Sequence, residues 1–200
     1  MNLVKQIHDF KYYTGAHPEV KNCFKKEGRP TEFGNKVWAT SLVLLNHLEE
    51  QKSDLSNLRV LEIGCGWGLL GVYLAKQFHC QVTCTDFDES VLPIVQLHAK
   101  LNTVTVKTKK AAFSEIDIEY LKNFDLIVGA EVCYSEEVAV DVYHLIDRAK
   151  KANIKQIFIA DPGRPGFLDC YEYCKNKYTV KLTDLQGTIN GKTTKLLTLQ

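Results

Sequence analysis

From residue 37 onward the apolar positions switch repeatedly between two periods, and this switching predicts the architecture. Trp38, Leu42, Leu45 and Leu48 recur every three or four residues, marking one face of a helix that begins near Val37. Arg59–Ile63 is a short β-rich run, glycines follow it, and a helix is expected over Leu69–Phe78. Gln81–Thr85 reads as a second strand ahead of a helix over Glu89–Leu101, and Val104–Lys107 as a weaker third strand. Phe124–Gly129 is a fourth, buried strand. The helix expected over Glu136–Ala152 places Val138, Val142, Leu145, Ile146 and Ala149 on one stripe. Gln156–Ala160 is a fifth strand, after which Pro165, at an N1-like position, opens a helix to about Asn176.

Strands spaced by helices of this length pair in parallel through right-handed crossovers. The end of the chain breaks that rhythm: Tyr178–Thr188 and Lys192–Leu199 flank Asn190-Gly191, a strong short-range hairpin signal. The expected fold is therefore α/β, a Rossmann-like seven-stranded sheet, mostly parallel, with a C-terminal antiparallel hairpin and helices on both faces. Residues 1–36 differ, being punctuated by Gly15, Pro18, Gly28, Pro30 and Gly34. They predict a short amphipathic helix near Leu3–Phe10 and otherwise loop. This stretch is rich in Lys and Arg (Lys5, Lys11, Lys21, Lys25, Lys26, Arg29, Lys36), so it reads either as a solvated flap or as a lid over a ligand or acidic partner. The division is thus a segment 1–36 and a main body 37–200 within one compact domain.

Composition narrows the function classes. The chain has 200 residues, 45% of them hydrophobic, and a formal net charge of +1, which argues against a generic polyanion binder and hence against nucleic acid. The number of cysteines is seven, with no CxxC pair, which reads as reduced thiols in a cytoplasmic protein. Cys80/Cys84 and Cys170/Cys174 have i,i+4 spacing but no histidine pair to complete a zinc site, so no metal is expected. No run approaches the roughly 20 apolar residues of a membrane span, and a monomer is the default. None of the six histidines stands in a recognisable catalytic context.

The stretch Val60-Leu61-Glu62-Ile63-Gly64-Cys65-Gly66-Trp67-Gly68 carries the most chemistry. A buried strand ends in an acid, GxGxG follows, and then a helix. Glycines allow a sharp turn and a close ligand approach at the carboxyl end of the first strand, where doubly wound sheets bind ligands. A pyrophosphate-binding loop would read GxGxxG, and the Glu62 carboxylate would repel a pyrophosphate. A cationic ligand such as S-adenosylmethionine (SAM), with its ammonium and sulfonium, suits that acid. The next strand ends in Asp86, which could accept both ribose hydroxyls of an adenosine ligand. Asp86 or Asp88 could equally serve as a helix N-cap.

With these features the chain resembles the class I SAM-dependent methyltransferases, and within them the lysine methyltransferase-like family often called methyltransferase family 16. The resemblance runs from about Gly34 to the C-terminus. It rests on Gly34-Asn35-Lys36-Val37-Trp38, the Glu62/GxGxG stretch, Val82-Thr83-Cys84-Thr85-Asp86, and the run from Phe124 to Tyr134. It implies that Glu62, Gly64, Gly66 and Gly68 line the methionine side of SAM, that Asp86 holds the ribose and that Trp38 packs beside the cofactor. Trp38 could otherwise be helix core. The family's acid-x-x-tyrosine motif is matched by Glu131 and Tyr134, with Glu where Asp is usual, which implies a catalytic pair next to a cofactor-binding Ala130. Glu131 at a strand end could otherwise cap the next helix. Near the adenine, Phe113 stands where the family often has tryptophan, with the backbone of Ala112 serving the base. Asp161-Pro162-Gly163-Arg164 resembles the DPGR segment of the electron-transfer-flavoprotein β-subunit lysine methyltransferases, which implies substrate contacts by Asp161 and Arg164. The same residues also make a good turn, and Arg164 could pair with a carboxylate within the fold. The implied activity is methyl transfer to a protein side-chain nitrogen, lysine foremost, with a small-molecule amine or a non-catalytic SAM-binding protein as alternatives.

Overall fold

The computed structural model describes residues 3–30, 33–50, 54–189 and 192–200. Seven strands form one sheet in the order β5-β4-β3-β6-β7-β9-β8. They are β3 (Arg59–Glu62), β4 (Gln81–Asp86), β5 (Lys107–Lys110), β6 (Leu126–Ala130), β7 (Gln156–Asp161), β8 (Val180–Ile189) and β9 (Lys192–Leu199). The first five pair in parallel, while β9 runs antiparallel between β7 and β8. This is the expected α/β, Rossmann-like arrangement with its C-terminal hairpin. The Asn190-Gly191 turn itself lies outside the described residues.

Alternation along the central strands divides their side chains between two cores. Val60, Val82, Leu126 and Val128 face one layer, made by α2 (Ala39–Glu50), α3 (Leu69–Gln77) and α4 (Leu92–Leu101). Leu61, Ile63, Ile127, Ile157 and Ile159 face the other, made by α5 (Ile118–Leu121), α6 (Glu136–Lys151) and α7 (Pro165–Lys175). Because both faces are covered, the inner strands read as near-continuous apolar runs. The strand order reverses between β3 and β6, leaving a crevice beyond their carboxyl ends.

The amino-terminal expectation is corrected. Val4, Ile7 and Phe10 have helical spacing, but β1 (Val4–Ile7) and β2 (Phe10–Tyr13) form a two-stranded antiparallel hairpin. The turn is His8-Asp9, with His8 at φ 49°. β-branched and aromatic residues dominate the pair, and the fully buried Phe10 meets Tyr73 of α3 edge-on at 5.7 Å. Nor is the rest of the segment loop: α1 spans Pro18–Glu27, with His17 Nδ1 accepting from the Glu19 amide and Gly28 ending it at φ 88°. The third strand of the main body also falls later than expected, since Val106 packs into the core ahead of the ladder that starts at Lys107. Among the described residues no helix is long and apolar enough to cross a membrane.

Candidate functional site

The glycine loop between β3 and α3 is built on three left-handed residues, Gly64, Gly66 and Gly68, at φ 53°, 50° and 68°. A Cβ on Gly64 would lie 2.9 Å from Val132 Cγ1, whereas one on Gly66 would meet nothing within 4 Å. The bare face of Gly66 therefore opens onto space. Gly68 caps α3 without a side chain, so the orphan amides of the first turn need another acceptor. Glu62 supplies it: its Oε2 accepts from Gly71 N at 3.0 Å and from Cys84 Sγ at 3.1 Å. Burial pushes the Glu62 carboxyl up to about 8, against the opposing pull of those two hydrogen bonds.

Asp86 ends β4 and is almost fully buried. Its Oδ2 accepts from Gly66 N at 2.8 Å and its Oδ1 from Asp88 N at 3.0 Å, so it holds the glycine loop while each oxygen keeps capacity for a further donor. Burial raises its pKa. The N-cap role falls to Asp88, which accepts from Ser90 N at 3.0 Å.

Beyond these strand ends lies a cavity of about 730 Å³, open solvent at its mouth included. Trp38, Glu62, Gly64, Gly66, Asp86, Phe113, Ala130, Glu131, Tyr134 and Arg164 all line it. Ala112 lines an adjoining space together with Phe87, Phe113 and Tyr134. Both backbone groups of Ala112 are engaged within its own turn: the amide donates to Glu115 Oε2 at 2.7 Å, and the carbonyl accepts from Glu115 N at 3.1 Å. Gly68 and Asp161 line neither space.

On the far side of the cavity Glu131 follows β6 at φ 59°, an uncommon conformation for a residue with a side chain. Its Oε1 accepts from Thr40 Oγ1 at 2.6 Å, and its Oε2 lies 3.7 Å from Arg164 Nη1. Arg164 is in turn held by Asp161, whose Oδ2 takes Arg164 Nε at 3.0 Å and Nη2 at 2.5 Å. Asp161 is fully buried, and its Oδ1 accepts from the amides of Gly163 and Arg164. Arg164 thus pairs within the fold and at the same time lines the cavity.

Sequence reasoning missed several residues here. Phe33 stacks on Tyr134 with ring centroids 4.5 Å apart, and Trp38 Nε1 donates to the Phe33 carbonyl at 2.7 Å. Phe87, 48% exposed, stands at the rim. Arg148 of α6 donates to the carbonyls of Ile116 and Phe113 at 2.9 and 2.6 Å, bracing the turn beneath Phe113. Position directly after the acid of β4 was an available signal for Phe87. Nothing local marks Phe33 or Arg148, whose roles depend on tertiary approach.

The chain is similar to known proteins in sequence and in fold. A family model described as lysine methyltransferase matches residues 20–165. The histidine protein methyltransferase 1 homolog of Dictyostelium discoideum is 34% identical over 62% of this chain and 41% of its own length. The protein N-lysine methyltransferase METTL21A of Xenopus tropicalis is 29% identical over 70% of this chain and 65% of its own. This chain therefore spans less than two thirds of either curated relative. Among solved structures, the Pyrococcus abyssi tRNA (uracil-54, C5)-methyltransferase in complex with S-adenosyl-L-homocysteine superimposes with a TM-score of 0.65. It shares 16% identity, covering 98% of this chain and 44% of that one, a likeness of fold.

Proposed function

Because the chain belongs to the lysine methyltransferase family, we propose that it is a SAM-dependent methyltransferase acting on a protein side-chain nitrogen, lysine foremost. One observation carries the reading: a single cavity joins the glycine loop and its two acids to Glu131, Tyr134 and a wall of aromatic rings. The residues suit SAM chemically. The open face of Gly66 admits a ligand closely, Glu62 suits an ammonium, and Asp86 keeps acceptor capacity for ribose hydroxyls. Gly64, Gly66 and Gly68 shape the loop around the methionine end, while Phe87, Ala112 and Phe113 border the adenine end.

When bound, SAM supplies a methyl group on a sulfonium, open to in-line displacement by a nucleophile. The chain's own task is to orient that nucleophile and exclude water, which together are worth several kcal/mol of the barrier. A lysine amine, with a reference pKa near ~10.4, is almost wholly protonated at pH 7 and must shed a proton to react. Glu131 would orient the amine by accepting from it, and Tyr134, with Phe33 stacked on it, would shield the nitrogen from water. Arg164, anchored on Asp161, steadies the Glu131 carboxylate. The lid role of residues 1–36 falls to their carboxyl end, where Phe33 reaches Tyr134 and accepts from the Trp38 indole that follows. The protein works in the cytoplasm as a monomer; its near-neutral charge speaks for a protein rather than a nucleic-acid acceptor.

Isothermal titration with S-adenosylhomocysteine tests the cofactor half. Micromolar binding, weakened about 100-fold in Asp86→Ala through loss of two charge-assisted hydrogen bonds, is expected. Transfer of label from methyl-tritiated SAM to macromolecules of a lysate, and not to its small-molecule fraction, is expected for the acceptor half. Absence of binding by the unaltered protein would reject the proposal.

A further inference from the structure

The grip on Glu131 is asymmetric. Helix α2 has no acidic residue in its first turn, and its second residue, Thr40, is fully buried. The Thr40 hydroxyl donates to Glu131 Oε1 at 2.6 Å, with the Thr40 amide at a longer 3.4 Å from the same atom. A carboxylate can only accept, so the direction of that bond is fixed. Oε2, in contrast, has among the described residues only the 3.7 Å approach of Arg164, beyond hydrogen-bond length. Two anchors from different elements thus hold a residue whose own backbone sits at an unfavoured φ of 59°. Thr40 does not itself line the cavity, whereas Glu131 does.

We propose that Thr40 is a positioning residue: by holding Glu131 Oε1 it turns Oε2 toward a cationic group on the acceptor side of the cavity. This rests on the reading of the cavity as a SAM site with Glu131 facing the acceptor. A competing account makes Glu131 merely a cap for the first turn of α2, in which case loss of the hydroxyl weakens the fold without changing what the cavity distinguishes.

Two ligands separate these accounts. S-adenosylhomocysteine has no cation at the reacting position, whereas sinefungin has a primary amine on a carbon that replaces the sulfur. Their affinities are measured by isothermal titration for the unaltered protein, Thr40→Val and Thr40→Ser. The unaltered protein prefers the amine ligand, and Thr40→Val lowers that preference about tenfold, the weight of one hydrogen bond to a charged group. Its affinity for S-adenosylhomocysteine stays within about twofold, and Thr40→Ser restores the preference. If Thr40→Val does not fold, Thr40→Ala carries the same expectation from a better helix former. An unchanged preference, an equal weakening of both ligands, or no preference in the unaltered protein would overturn the proposal while leaving the cofactor site standing. Failure of the unaltered protein to bind S-adenosylhomocysteine would overturn the cofactor reading, and this proposal with it.

Discussion

Acid sensitivity should centre on His98. This residue of α4 is completely buried, its Nδ1 2.9 Å from the Trp67 carbonyl and its Nε2 3.1 Å from the Tyr13 amide. A carbonyl only accepts and an amide only donates, so the ring is neutral with its hydrogen on Nδ1. Adding a second proton would set two donors against each other at Nε2. Burial accordingly pushes the His98 imidazole down to about 4. An unfolded histidine titrates near ~6.5, so between those values the unfolded chain binds more protons and stability falls as pH falls. The loss relative to neutral pH is about 2 kcal/mol at pH 5 and about 3 kcal/mol at pH 4. Urea titrations of the unaltered protein and His98→Gln at pH 7.5, 5 and 4 isolate the effect, because glutamine keeps a donor and an acceptor but gains no proton. The stability advantage of the unaltered protein over His98→Gln should shrink by those amounts as the pH is lowered. A difference that stays constant from pH 7.5 to 4 would refute the neutral, doubly bonded ring.

Two further outcomes concern the glycine loop and its acid. Gly64→Ala combines a φ of 53° with Cβ approaches of 2.9 Å to Val132 and 3.3 Å to Phe113, and should cost at least about 2 kcal/mol, lowering Tm by roughly 4–8 °C. Gly66→Ala, at φ 50° with nothing within 4 Å, should cost less stability yet block S-adenosylhomocysteine; equal Tm losses with intact binding in both would reject the assignment of the open face. Glu62, pushed up to about 8 in the free protein, holds a proton at neutral pH that a ligand ammonium would displace. Affinity for S-adenosylhomocysteine should therefore strengthen as pH rises from 6 to 8, by at most about tenfold per pH unit, and flatten in Glu62→Gln; a flat profile in the unaltered protein speaks against contact between Glu62 and the ammonium. In the free protein the sign is opposite to that of His98: the folded pKa lies above the unfolded ~4.3, so this group's contribution to stability is full below that value and is lost as pH rises through 8.

The main body was legible because local pattern and tertiary role coincide there. Strand β6 is apolar on both sides because helices cover both faces, and the GxGxG loop reads directly as the three left-handed residues it contains. At the edges this agreement fails. Strand β5, Lys107-Thr108-Lys109-Lys110, has one neighbour and largely exposed side chains, so its identity comes from pairing with β4 rather than from burial. In the hairpin, Val4, Ile7 and Phe10 satisfy a helical period by coincidence, and only the ladder Val4↔Tyr13 to Ile7↔Phe10 decides between the two. Helix α1 was missed although Pro18 at N1 and Gly28 after Lys25 and Lys26 are ordinary start and stop signals. In the candidate site, motif residues were found and their partners were not. The bond from Thr40 to Glu131 spans 91 positions in sequence, beyond the reach of any local pattern.

Those long-range partners tie the amino-terminal segment to the glycine loop. Trp67 lies inside GxGxG, and its Nε1 donates to the Gly34 carbonyl at 2.8 Å while its own carbonyl receives His98. His98 accepts from Tyr13 of the hairpin, and Asn102, at the C-cap of the same helix, exchanges two hydrogen bonds with the backbone of Lys11, at 2.9 and 2.7 Å. The loop that shapes one end of the cavity is therefore braced from behind by the same segment that brings Phe33 onto Tyr134 at the other. The Trp67–Gly34 bond lies one residue from the ring that covers Tyr134. A buried indole and a single peptide thus connect the glycine loop to the aromatic wall of the cavity.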